Sequence, residues 1–186
     1  MGIIGMVKLI NRIEIEEIIM KMIIDTDRLR LRVFEAEDFH VAKGFWGNDE
    51  VMVYSGGAVE HDLLPVVLDS YAKCYEKHGL SIFAVVEKES GNVIGAAGFK
   101  LKSSPETVEL IYHFIQESWG KGYATEAAIA CINVAKNHGQ VKKIFASADP
   151  NNEQSFKILE KLGFDYQGLK WFEDTEQEEP YYSMNL

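Results

Sequence analysis

The sequence offers little for a disulfide framework or a metal cluster: it has two cysteines in 186 residues. Cys74 and Cys131 stand alone in stretches with helical spacing, so both read as buried thiols in a reducing compartment. The five histidines are scattered, with no His-x-x-x-His or Cys-x-x-Cys pattern, and no metal site is expected. Basic residues are in the minority, 19 Lys and Arg against 29 Asp and Glu, for a net charge of −10. That balance argues against general nucleic-acid binding; it fits basic or amine-bearing partners, and it is also ordinary for a soluble bacterial-type enzyme. No apolar run has the roughly 20 residues that cross a bilayer. The apolar start lacks a small-residue cleavage site after a long apolar core, so neither a membrane anchor nor a signal peptide is expected, and the location expected is cytoplasmic. Repeats, long linkers and low-complexity segments are absent too.

What remains is 47% hydrophobic, enough for one domain with a sizeable core. Residues 23–186 are expected to form it. Residues 1–22 form an N-terminal extension with two readings: an interaction helix, or a tail added by an upstream start, since Met22 sits where a first strand would begin. Arg28 to Phe34 alternates charged and apolar residues and predicts a half-buried strand, its three arginines on a solvated face. Helices are predicted from Glu35 to about Gly47 and from Asp62 to His78. A loop, 48–61, separates them. Strands at 81–87 and 92–102 flank Ser90-Gly91-Asn92, which is hairpin chemistry. Gly95 and Gly98 interrupt the second of these strands and predict a bulge or a close backbone approach. A turn at 103–106 leads to a central strand ending near Ile115, which completes an antiparallel meander. A helix to His138, a strand at 142–148, a helix from Ser155 to Leu162 and a final strand pair (164–172 and 180–185) follow. The connection 173–179 is too acidic to expect buried. The class is α+β: a mixed, mostly antiparallel sheet of six to seven strands with flanking helices.

The chain is organised around residues 106–138. An apolar, β-branched run is followed by Gly120-Lys121-Gly122 and then by helical spacing at Ala124, Ala127, Ala128, Cys131, Val134 and Ala135. A strand, a glycine turn and a helix start present free N–H groups at a positive helix end, which suits phosphate. The Gly-x-x-x-x-Gly-Lys-Ser/Thr run of nucleotidases is absent, and Thr125 stands where a dinucleotide fingerprint needs its third glycine.

Trp119-Gly120-Lys121-Gly122-Tyr123-Ala124-Thr125-Glu126-Ala127 resembles the acyl-CoA loop of the GCN5-related N-acetyltransferases (GNAT). The resemblance is greatest to the branch of the ribosomal-protein N-terminal acetyltransferases. Asn152-Glu153-Gln154-Ser155 with Leu159-Glu160-Lys161-Leu162-Gly163-Phe164 is similar to the family's Asn-x-x-Ser helix and its Gly-Phe ending. Thr26-Asp27-Arg28-Leu29-Arg30-Leu31-Arg32 is similar to its first strand. The three matches stand in family order over 23–186.

The resemblance implies the GNAT acyl-CoA N-acyltransferase fold. It also implies transfer of an acetyl group from acetyl-CoA, as co-substrate, to a protein N-terminus or small amine by direct attack in a ternary complex. Monomer and homodimer both stay open. Trp119, Gly120, Lys121, Gly122, Tyr123, Ala124 and Thr125 would form the phosphate loop, Phe114, Ile115 and Gln116 would line the pantetheine arm through main-chain bonds, and Asn152 and Ser155 would approach the arm from the next helix, with N-capping of that helix the alternative for Asn152. Glu109 is the candidate base, for which an edge carboxylate paired to an arginine is the structural alternative. His113, on the same strand face, is a second candidate. A backbone N–H near Phe114 or Ile115 would hold the oxyanion. Leu159 stands where many relatives carry the Tyr that protonates the leaving thiolate, so that acid is absent here, and Ser155, a poor acid, would orient the sulfur. Ile111 stands where the branch often has Gly. Trp46, Tyr54 and Tyr71 are candidates for the acceptor pocket, with core packing the alternative for each. A non-catalytic acyl-CoA-binding or partner-binding module on the same fold is the competing reading.

Overall fold

A computed structural model describes residues 22–101 and 104–186. The expectations for residues 1–21 lie outside the described residues. One sheet of eight strands organises the chain in the order β1-β2-β3-β4-β5-β6-β8-β7. The strands are β1 (Met22–Asp25), β2 (Leu29–Arg32), β3 (Ile82–Glu87), β4 (Val93–Leu101), β5 (Thr107–Phe114), β6 (Lys143–Ser147), β7 (Asp165–Phe172) and β8 (Gln177–Asn185). Among the described residues, only β5 and β6 pair in parallel. The helices are α1 (Phe39–Ala42), α2 (Asp49–Met52), α3 (Leu64–His78), α4 (Tyr123–His138) and α5 (Glu153–Lys161).

Two apolar layers cover the sheet. Val108, Leu110 and Phe114 of β5 pack with Ala127, Ala128, Cys131 and Ala135 of α4 on one face. On the other, Ile82, Ala84 and Ala96 meet Phe45, Trp46, Met52, Leu64 and Leu68. Alternation along β5 therefore sends even-numbered side chains toward α4 and odd-numbered ones toward α1–α3.

The structure corrects five expectations. The sheet has an eighth strand, β1, because a four-residue segment beside the turn at Thr26 gives too little periodicity to read. The helix expected over 35–47 is a 3-10 turn at Ala36–Asp38 followed by the single turn α1, and α2 interrupts the expected loop. Asn48 starts α2 by accepting from the N–H groups of Glu50 (2.9 Å) and Val51 (3.3 Å), a side-chain cap that loop composition conceals. The arginines of the first strand are not a free solvated face. Arg32 makes a two-nitrogen pair with buried Asp38 at 2.6 and 2.8 Å, and Arg28 and Arg30 are also ion-paired. Finally, β8 begins at Gln177, and Glu179 is buried, accepting from Thr175 Oγ1 at 2.6 Å and Gln177 Nε2 at 3.2 Å. Those bonds let a carboxylate sit where charge alone forbids it.

Gly95 and Gly98 fulfil the close-approach expectation. A Cβ on Gly95 would lie 2.3 Å from the His113 carbonyl oxygen, and one on Gly98 2.2 Å from that of Ser81. Both contacts are with backbone, so neither position accepts a side chain without moving a strand.

Candidate active site

The pairing of β5 with β6 stops early. It covers Thr107↔Lys143, Val108↔Ile144 and Glu109↔Phe145, and goes no further. β5 continues to Phe114 along β4, while β6 continues to Ser147 along β8. The two strands diverge after Glu109 and leave one flank of five β5 residues without a strand partner. That flank is about 16 Å long at the usual rise per residue.

Hydrogen-bond parity tells which groups face this slot. Ile115 N–H donates to the Ile94 carbonyl of β4 at 3.0 Å. Alternation then turns the Ile111 and His113 backbone groups toward β4, and those of Tyr112 and Phe114 toward the slot. Of the two N–H groups expected to hold an oxyanion, Ile115's is therefore already used, and Phe114's is the one left. The Phe114 carbonyl accepts from Trp119 Nε1 at 2.8 Å, which ties the half-exposed Trp119 ring to the strand end. The Gln116 side chain donates to Glu50 Oε2 at 2.7 Å.

The glycine turn lies at the far end of β5. Ser118 and Trp119 spend their N–H groups on the Ile115 and Gln116 carbonyls, both at 3.0 Å. The expected N–H cradle therefore starts later, at Gly120. Among the described residues, the N–H groups of Gly120, Lys121 and Gly122 have no hydrogen-bond partner. Those of Tyr123, Ala124 and Thr125 belong to the first turn of α4, where a helix leaves its donors without acceptors. Gly120 and Gly122 sit at φ of 73° and 80°, the left-handed region that glycine enters without penalty. Lys121 is exposed.

Glu109 is buried at the last β5–β6 pair, opposite Lys100 of β4. It stands where the slot opens, and it is buried rather than at the surface. Beyond it on the same face lies His113. Trp46 Nε1 donates to its Nδ1 at 3.2 Å, and Ser55 Oγ lies 3.1 Å from its Nε2. An Nδ1 that accepts leaves the proton on Nε2. Burial pushes the imidazole down to about 4. This neutral ring has no lone pair to spare, so the structure corrects its assignment as a base. Trp46 and Tyr71 pack in the core beneath α1–α3, with ring centroids 5.3 Å apart, as their packing alternative foresaw. Tyr54 is exposed.

From the other face, Asn152 caps α5 by accepting from Ser155 N–H at 3.2 Å. Leu159 is 1% exposed and belongs to the core, so its position delivers no side chain to the slot. A residue that sequence reasoning missed stands nearby. The Tyr112 hydroxyl donates to the Ser155 carbonyl at 3.4 Å, and burial pushes its pKa up to about 12. As an even-numbered strand residue it read only as core.

A second omission is the network behind the loop. Glu126 Oε1 accepts from Thr26 Oγ1 at 2.5 Å and from Arg28 N–H at 2.9 Å. Its Oε2 accepts from Arg28 Nε and Nη2, both at 2.7 Å. Arg28 Nη1 donates to the Lys121 carbonyl at 2.8 Å, and its guanidinium lies 4.7 Å from the Tyr123 ring centre. Burial pushes Glu126 up, but the hydrogen bonds from Thr26 and Arg28 outweigh it and hold the carboxyl below the usual range.

A mixed sheet opened beside a helix start, with free N–H groups at that start, is the arrangement that the resemblance to acyl-CoA transferases implies. The chain belongs to the GNAT acetyltransferase family, whose domain model matches residues 28–165. It is 32% identical over 144 residues to YkkB, an uncharacterised protein of Bacillus subtilis (strain 168), covering 76% of this chain and 84% of that one. It is 25% identical over 160 residues to the [Ribosomal protein uS5]-alanine N-acetyltransferase of Escherichia coli (strain K12), covering 84% and 79%. This supports the ribosomal-protein branch as a distant relationship. Among solved structures, a GNAT-family acetyltransferase from Bacillus anthracis superposes with a TM-score of 0.77 at 24% identity, covering 88% of this chain and 98% of that one.

Proposed function

We propose that this protein transfers an acetyl group from acetyl-CoA to a primary amine, with a protein N-terminal α-amine as the preferred acceptor. The divergence of β5 and β6 after Glu109 is the observation that carries the reading. An extended pantetheine arm can occupy that slot as an added strand would, using the Tyr112 carbonyl and the Phe114 N–H. The pyrophosphate then reaches the N–H groups from Gly120 to Thr125, where the helix end favours negative charge.

An amine attacks only when neutral. An α-amine has a pKa of roughly 8 against about 10.4 for lysine, so it needs less help. Glu109, at the mouth of the slot, takes the proton, through a water if the amine stands off. The carbonyl oxygen that gains charge during attack is held by the Tyr112 N–H, the slot-facing donor nearer Glu109, because Phe114 lies about 16 Å along the strand from that base. The departing thiolate meets the Ser155 and Tyr112 hydroxyls. Tyr112 keeps its proton at working pH, so it stabilises the thiolate by turning its one O–H from the Ser155 carbonyl to the sulfur rather than by giving the proton away. The relationship to a ribosomal-protein alanine acetyltransferase and the acidic balance of −10 favour a basic protein terminus as acceptor. We place the protein in the cytoplasm, and no helix among the described residues is long and apolar enough to cross a membrane.

Gly122→Asp tests the loop. Its φ of 80° is one that Asp tolerates better than most residues, and the nearest atom to a new Cβ is Arg28 Nη2 at 3.5 Å. The variant is expected to fold and to bind acetyl-CoA at least tenfold more weakly. Unchanged affinity in titration calorimetry would refute the loop's assignment.

A further inference from the structure

The phosphate loop contains an apparent contradiction. Glu126 puts a carboxylate into the first turn of α4, at the helix end whose free N–H groups would receive the pyrophosphate. A negative side chain there competes with a negative ligand for the same positive field. Its side chain is only 18% exposed, so water screens it poorly.

Arg28 answers this contradiction. Two of its nitrogens hold one oxygen of Glu126 at 2.7 Å, and its third holds the Lys121 carbonyl at 2.8 Å. The carbonyl contact has a geometric consequence. In a trans peptide the C=O and the following N–H point in opposite directions. Fixing the Lys121 carbonyl toward Arg28 therefore fixes the Gly122 N–H away from it, on the open side of the loop. Thr26 holds Glu126 from the turn between β1 and β2. Tyr123 lies under the guanidinium and donates to Glu87 at 2.5 Å. The loop is thus braced from the β1–β2 turn, from β3 and from its own helix.

We propose that Arg28 is a positioning residue for the phosphate loop: it aims the Gly122 N–H at the pyrophosphate and cancels the charge of Glu126. The proposal rests on the reading that this loop binds CoA. It makes Glu126 a liability whenever Arg28 is absent, which a purely structural ion pair would not.

The test is a double-mutant cycle on the full chain, with CoA as the titrant and thermal unfolding alongside. Arg28→Met should weaken CoA binding at least tenfold. Glu126→Gln should weaken it less. The double variant should bind CoA more tightly than Arg28→Met, because the uncancelled carboxylate is gone. Arg28→Lys keeps the charge but has one nitrogen for three contacts, so it should fall between wild type and Arg28→Met. It also supplies the comparison if Arg28→Met unfolds. Affinity within twofold of wild type in both Arg28 variants would overturn the proposal, as would a double variant no tighter than Arg28→Met. Wild-type protein that fails to bind CoA would instead overturn the reading beneath it.

Discussion

Replacing His113 with Gln should change how stability depends on pH, by an amount the structure sets. The imidazole titrates near 6.5 in an unfolded chain and near 4 in the fold. Between those values the unfolded chain binds a proton that the native protein refuses, so stability rises with pH across the window. The full contribution is present above about 6.5 and is lost as pH falls to 4. At 1.36 kcal/mol per unit, 2.5 units correspond to about 3 kcal/mol as an upper bound, because the ring is not wholly buried. Burial is the physical cause, and the Trp46 bond opposes the proton in the same sense, since protonating Nδ1 would leave two donors facing each other. Urea unfolding of wild type and variant at half-unit steps from pH 4 to 7 measures the effect, and subtracting the two curves cancels the carboxylates common to both. The wild type should lose about 2–3 kcal/mol more than the variant on going from pH 7 to 4. A difference that stays constant across the window would refute the account of His113 as a locked neutral ring.

Two further outcomes are expected in kinetics. Glu109→Gln should lower kcat/KM by about a hundredfold and flatten the acid limb of the pH–rate profile; a profile superimposable on wild type would leave Glu109 with a packing role alone. Tyr112→Phe and Ser155→Ala should each lower kcat by roughly tenfold, a barrier increase of about 1.4 kcal/mol. An acetyl thioester with a more acidic thiol should recover most of that loss, and equal losses with both thioesters would remove these hydroxyls from the leaving-group step.

The sequence made the central strand, the glycine turn and α4 legible because their signals are local: β-branched residues, then glycines, then helical spacing. The Asn152 cap was equally local. What escaped depends on contacts between distant segments. Arg28 reads as one of three alternating charges, and only the fold brings it to Glu126, 98 residues away. Tyr112 reads as core until α5 is placed over it. Glu109 could be placed on the central strand, but not at the end of the β5–β6 ladder, since where two strands part is a property of the pair. The paired state of His113 needed Trp46 and Ser55, from segments read as helix and loop. Buried Glu179 reversed a rule based on charge because two neighbours bond it.

The most direct test of the central claim is CoA release from acetyl-CoA across a panel of amines. The panel holds short peptides with free N-termini, the same peptides N-blocked but carrying lysine, polyamines, free amino acids and aminoglycosides. Release with the free N-terminal peptides, and none with their blocked counterparts, is the predicted result. Saturable acetyl-CoA binding with no release from any amine would contradict it and leave a binding module on a transferase fold.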